Sequence, residues 1–342
     1  MRWPSVTTRR SLGIGMLSTP FCELMGVEIP ILQAAIWPAT SPELVAAVGE
    51  AGAIGSIGAI FTPAEQLLEQ VARVRALTDR PFVVNHVVPG MKEEAFAATL
   101  EARPAAVSFA LGHPGALVAR AHEAGAKVIH QVHTLDQALA AADLGIDVFI
   151  AQGSEAGGQG LAAGASTMLL VPQIADALGP VPVLAAGGIA DGRGLAAALV
   201  LGAAGANVGT RFLASEEASA PESWKSSIVG ARSEDCVRFG TWSAIMAPST
   251  GYGVVPRVMT TAFVQEWEGR DAEAGERAGE LRAQIMATVS ENRPDALTPF
   301  TGQTAGLIDE VLPAGEIVRR MAGDACAALR AGAASASGHP PP

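Results

Sequence analysis

The sequence predicts an α/β protein, a (β/α)8 TIM barrel carrying a smaller helical lid insertion. Three observations lead there. Short apolar runs suited to strands buried on both faces alternate with helix-period segments through residues 31–212, eight times over. Two glycine turns, Gly187-Gly188 and Gly209-Thr210, follow the seventh and eighth of those strands, where barrels of this class usually hold a phosphate group. The turn after the first strand, Ala34-Ala35-Ile36-Trp37-Pro38, has no GxGxxG, which argues against an open doubly wound sheet.

Taken in order, strands are expected at 31–35, 53–58, 82–87, 106–111, 127–132, 148–153, 181–186 and 206–212. Between them, helices are expected at 42–51, 63–77, 92–102, 114–124, 135–144, 166–178 and 192–201. Ser41-Pro42 and Thr62-Pro63 read as N-caps followed by proline at the first helical position, and Thr134 as a further cap. Gly52, Gly125, Gly145 and Gly202 read as helix stops. After Phe212 the alternation breaks. Residues 215–224 read as polar helix, 236–242 as a short strand, 256–287 as helix broken near Gly269, and 316–322 as a closing helix. The expected organisation is an N-terminal tail at 1–18, a barrel at 19–214 and 296–325, a helical substrate or lid domain at 215–295, and a disordered tail at 326–342.

Composition narrows the function. The 342 residues are 49% hydrophobic and include 38 glycines, enough for a sizeable core. A net charge of −11 with no Lys/Arg cluster argues against a nucleic-acid surface. The longest apolar segment, near 195–206, is too short for a membrane span. Cys22, Cys236 and Cys326 lie far apart, with no CxxC and no metal spacing, so no metal is expected and a reducing cytoplasm is the simplest location. Thr8-Arg9-Arg10-Ser11 has a faint twin-arginine look, with Met16 as an alternative start.

Chemistry in such a barrel sits at the C-terminal ends of the strands. There the sequence places Asn85-His86, His113, His130-Gln131-Val132-His133, and the run from Gln152 to Gly160. If Gln131 points inward, alternation sends His130 and Val132 toward the helices and His133 to the rim. A rim rich in amides and poor in carboxylates and lysines suits a flat heterocycle with alternating N–H and C=O edges, such as a flavin. Each residue also has a plainer reading. Asn85, Gln131 and Gln152 could satisfy turn backbones, His86 and His130 read as packing residues, and His113 and His133 stay open. Glu155 reads as a loop carboxylate, and Tyr252 as a lid contact.

As a set, these motifs resemble the nitronate monooxygenases and their relatives, among them a flavin-dependent enoyl-acyl carrier protein reductase. The segments are Gln33-Ala34-Ala35, Asn85, Gln152-Gly153-Ser154-Glu155-Ala156-Gly157-Gly158, Ala186-Gly187-Gly188-Ile189, Asn207-Val208-Gly209-Thr210-Arg211-Phe212 and Gly302-Gln303. The resemblance implies a barrel that binds FMN beneath a smaller domain. It implies that Gly188, Gly209 and Thr210 hold the phosphate and that Gly187 and Asn207 also contact the cofactor. It implies that Asn85, Gln131, Gln152, Gly157 and Gly158 contact the cofactor, with Ala35 against the ring. In the family EAGGH ends in a histidine base that takes the α-proton of a nitroalkane; Gln159 stands at that position here. A carboxamide has no basicity near neutral pH, so Gln159 is expected at the reacting centre without acting as a base, and His133 is the remaining base candidate. Gln131 also stands where the family often has a lysine.

The activity implied is oxidation of alkyl nitronates by O2 to carbonyl compounds and nitrite. The alternatives are an NAD(P)H-dependent enoyl reductase-like enzyme and a non-catalytic FMN-binding barrel. The expected partners are a small-molecule substrate and O2, with no nucleic acid and no membrane; a homodimer stays open as the assembly.

Overall fold

The computed structural model describes residues 17–246 and 253–336. The twin-arginine segment, Met16 and Tyr252 therefore lie outside the described residues. Eleven strands are present among them: β1 (Ile31–Gln33), β2 (Gly55–Gly58), β3 (Phe82–Val87), β4 (Ala106–Ala110), β5 (Lys127–Val132), β6 (Val148–Gln152), β7 (Gly158–Leu161), β8 (Val183–Ala186), β9 (Gly205–Val208), β10 (Cys236–Arg238) and β11 (Val254–Met259). Eight of them run parallel in the order β1-β9-β8-β6-β5-β4-β3-β2. The ring closes between the two end strands, where Gln33 N donates to Ile54 O at 2.9 Å and Ile54 N to Ile31 O at 3.1 Å. This is the predicted (β/α)8 barrel.

The helices that pack around the ring are α2 (Pro42–Glu50), α3 (Ala64–Leu77), α4 (Glu93–Ala102), α5 (Leu117–Glu123), α6 (Leu135–Ala141), α7 (Thr167–Leu178) and α8 (Gly192–Val200), while α1 (Pro20–Met25) precedes β1. Strand alternation divides the core. Leu32, Ile54, Val83, Ala106, Ile129, Ile150 and Leu184 fill the barrel interior, and Phe21 and Met25 of α1 plug its N-terminal end. Their neighbours in sequence, such as Val107, Val128 and Phe149, pack outward against the helices. Ser41 and Thr134 cap their helices by accepting from Leu44 N and Gln137 N. Thr62 does not cap: α3 starts one residue later, and the Thr62 hydroxyl donates back to Ile60 O.

Four sequence expectations need correction. The last barrel strand ends at Val208, and 210–213 form a helical turn, α9 (Thr210–Leu213). Residues 215–221 are not helical; α10 is Glu222–Val229. The 256–287 segment begins as strand β11, because VVPRVM is β-branched; Pro256, which cannot donate to a ladder, hid it. Helices α11 (Trp242–Met246), α12 (Ala262–Trp267), α13 (Asp271–Glu276) and α14 (Ala278–Ser290) surround it, so the lid is mixed rather than purely helical. Its core is Phe239, Trp242, Ile245, Val258, Phe263, Trp267, Leu281 and Ile285. Finally, α15 (Ala314–Ala336) runs through much of the expected tail. Alanine is the strongest helix former, and Ile317, Val318, Met321, Ala325 and Cys326 give the helix a buried stripe. That stripe packs on α8 closely enough that a Cβ on Gly192 would meet Ala325 N at 2.4 Å.

The barrel and lid share a sheet. β7 lies in the loop after β6, yet it pairs antiparallel with lid strand β11, Gln159 opposite Pro256 and Gly158 opposite Arg257.

Candidate active site

Two residues beyond each interior apolar position, the barrel presents a second layer: Ala34, Ser56, Asn85, Ser108, Gln131, Gln152 and Ala186. This layer is the floor of a cavity of about 470 Å³ under the lid. Ala35, Gly157, Gly158, Gln159, Gly187, Gly188, Asn207, Gly209 and Thr210 also line it. Every residue predicted to meet the cofactor is therefore brought to one cavity. Ser56 and Ser108 were missed, although the two-residue step from Ile54 and Ala106 marks both.

The amides on the floor are only partly committed. Asn85 Nδ2 donates to Ser108 Oγ at 3.1 Å, and Gln152 Nε2 to Gln159 O at 2.9 Å. Gln131 makes no side-chain hydrogen bond among the described residues. At one end Gly187 and Gly188 have φ of +105° and +75°, a left-handed turn that suits glycine. The N–H groups of Gly188 and Gly209 find no acceptor among the described residues. Asn207 Oδ1, buried beside them, has no partner either. Unsatisfied donors next to an unsatisfied acceptor are what a phosphate joined to a hydroxylated chain would complete, so these residues fit a flavin mononucleotide.

Lid and loop are tied by buried charge. Arg257 donates to Ser154 O through Nε at 3.1 Å and Nη2 at 2.8 Å, and Arg238 reaches the same oxygen at 3.1 Å. Burial lowers both guanidinium pKa values, that of Arg238 to about 10. Glu155 accepts from Thr167 N at 2.9 Å and Thr167 Oγ1 at 3.0 Å, which makes it the loop carboxylate expected.

No histidine among the described residues lines the cavity. His86 bonds Thr99 Oγ1 at 2.8 Å and His130 bonds Phe109 O at 3.2 Å, both on the helix side of their strands. Burial lowers each to a pKa of about 4. His133 does not reach the rim as expected. It follows Val132 outward and is buried against a separate cavity of about 210 Å³, shared with His113 and His130. Burial pushes it to about 4, partly offset by the Gln159 backbone, and its Nε2 has no partner among the described residues. The geometry does not support His133 as a base that touches substrate. No group of residues that could hold a metal exists among the described residues.

An eight-stranded barrel with an amide-floored cavity free of carboxylates among its described lining residues, and a glycine cradle, fits the class of barrel oxidoreductases that hold a flavin. The nitronate monooxygenase profile matches residues 18–98 and 90–324. A probable nitronate monooxygenase of Staphylococcus saprophyticus is 35% identical over 267 residues, covering 65% of this chain and 75% of the relative. An indene-carboxyl-CoA dehydrogenase of Mycobacterium tuberculosis is 33% identical over 296 residues, 84% and 80% of the two chains. FabK from Thermotoga maritima superposes with a TM-score of 0.83 at 32% identity, covering 94% of this chain and 99% of that one. The chain belongs to the nitronate monooxygenase family. It is an oxidoreductase, and the family is one of flavoproteins.

Proposed function

We propose that the protein is an FMN-dependent oxidoreductase that oxidises alkyl nitronates with O2 to carbonyl compounds and nitrite, taking the preformed anion rather than the neutral nitroalkane. The observation that carries this reading is the lining of the cavity. It offers amides, hydroxyls and glycine N–H groups, with Gln159 at the family's base position and no carboxylate, lysine or histidine among the described lining residues. Gly187, Gly188, Asn207, Gly209 and Thr210 would hold the phosphate end of FMN. Asn85, Gln131, Gln152, Gly157 and Gly158 would hold the remainder, with Ala35 against the ring. When bound, FMN supplies the electron acceptor that no side chain here provides.

The chain's own part is binding, orientation and exclusion of water. A nitronate has already lost its α-proton, so no base has to act. The Gln159 carboxamide can donate to a nitronate oxygen without exchanging a proton with it. The lid, held to Ser154 by Arg238 and Arg257, covers the reacting space. FMN rather than FAD follows from a single cradle sized for one phosphate and the missing dinucleotide fingerprint. We place the protein in the cytoplasm: no disulfide links its cysteines, and no helix among the described residues could cross a membrane.

The test is the absorbance spectrum of the purified protein, mass spectrometry of the released ligand, and anaerobic titration with a nitronate and with NADPH. FMN bleached by the nitronate is expected; FAD or a colourless protein would remove the reading. A second reading, NAD(P)H-dependent reduction of an activated C=C bond as in the family's enoyl reductase relatives, draws on the likeness to FabK from Thermotoga maritima. Rapid bleaching by NADPH with no response to nitronates would favour it.

A further inference from the structure

Among the described residues that line the cavity, Arg282 is the only charged one. It is exposed on α14, where one Nη2 N–H donates to Ile245 O at 2.9 Å. No carboxylate pairs with it among the described residues. The other exposed lid arginines, Arg232, Arg270, Arg277 and Arg293, each sit beside a glutamate. In a chain of net charge −11, an uncompensated guanidinium at a cavity mouth does not reflect a shortage of carboxylates.

The barrel side of the same mouth is also unusual. Phe61 is 69% exposed and holds a φ of +55°, a left-handed conformation that is strained for a bulky side chain. Its ring meets Trp37 edge-on at 5.3 Å between centroids. Met286, one helical turn beyond Arg282, adds a further exposed apolar surface from the lid. Trp37, Phe61, Arg282 and Met286 all line the one cavity.

We propose that Phe61 and Arg282 form a two-point entrance that selects the substrate, and that the substrate is an amphipathic organic anion. Its carboxylate or phosphate monoester lies on Arg282, and its apolar segment runs over Phe61, Trp37 and Met286, placing the reacting carbon by Gln159. This rests on the proposed nitronate reading for the reacting end only. A guanidinium presents five N–H donors in a fork that matches either anion, and four of them are uncommitted among the described residues. At an exposed position such a pair is worth a preference of about fivefold.

The experiment is equilibrium binding to the purified holoprotein, read by tryptophan fluorescence and calorimetry, with octanoate, octyl phosphate, octanol and octylammonium as probes. Octanoate or octyl phosphate should bind about fivefold tighter than octanol, and octylammonium more weakly than all three. Whichever anion leads identifies the headgroup. Arg282→Gln should erase the order, Arg282→Lys keep it, and Arg282→Glu reverse it in favour of octylammonium. Phe61→Ala should weaken every probe alike. Equal binding of octanol and the anions, or an order that survives Arg282→Gln in a variant that keeps its cofactor, overturns the proposal. The readout needs no turnover. If nitronates are not oxidised while the charge order holds, the reaction assignment falls and the entrance stands.

Discussion

Replacing Gln159 by histidine tests whether the missing base sets the substrate form. Gln159 lies on β7 opposite Pro256, lines the cavity, and is half-buried. Neither its carboxamide nor any other described lining residue can accept a proton near neutral pH. The native enzyme should therefore oxidise a preformed nitronate but act on the neutral nitroalkane more slowly by about 10²–10⁴-fold, the usual worth of a positioned general base. Gln159→His should recover part of that gap on the neutral form and leave nitronate turnover little changed. The new imidazole would start from an ordinary value of about 6.5. Partial burial and the guanidinium of Arg282 in the same cavity both disfavour its charged form, so the gained activity should rise with pH to a plateau at or below neutrality. The assay is nitrite release and O2 uptake on both forms of one nitroalkane, assayed before they interconvert. Equal native rates on the two forms, or a folded Gln159→His enzyme with an unchanged ratio, would refute the argument.

Gly188→Asp should strip the cofactor while the barrel stays folded. The new side chain sits at φ +75°, and its carboxylate faces a phosphate with a like-charge term of about 4 kcal/mol at ~4 Å and an effective dielectric of ~20. Unchanged flavin content per protein would place the phosphate elsewhere. Acid should destabilise the protein through His86, His130 and His133, which fold with pKa values of about 4 against 6.5 unfolded. The unfolded rings bind the extra protons, so stability is full above pH ~6.5 and falls as pH drops toward 4, by about 2 kcal/mol per ring at pH 5. Urea midpoints at pH 7.5 and 5 check this, and a flat profile would contradict it. Cys22, Cys236 and Cys326 should each tolerate alanine with turnover kept, because burial raises the thiols of Cys22 and Cys236, the latter to about 11, away from reactive thiolate. Lost activity in a folded single variant would make that cysteine a catalytic candidate.

The barrel was legible because its signals are local and redundant. Each strand is an apolar run bounded by a cap or a glycine, so Phe82–Val87 and Lys127–Val132 were read to the residue. The cavity floor was legible for the same reason: alternation alone sends Asn85, Gln131 and Gln152 inward once Val83, Ile129 and Ile150 are inside. His133 was misplaced because it lies just past the strand end, where alternation no longer dictates direction and burial behind β7 decides. The lid was read poorly because its sheet is assembled from distant segments. No local pattern announces that Gly158–Leu161 pairs with Val254–Met259, and Pro256 points the other way. Arg238 and Arg257 drew no reading from the sequence, because only that sheet brings them to Ser154 O.

The borrowed strand also limits how this enzyme can be recombined. A breakpoint near residue 215, where the barrel rhythm stops, looks like a clean seam between two modules. It would leave the donor's β11 facing a foreign β7, and with it a foreign residue at the position of Gln159. Exchanging lids between relatives thus exchanges neither domain cleanly. A chimaera that keeps its ladder intact must carry Gly158–Leu161 together with its lid, and so takes the reaction chemistry along with the entrance.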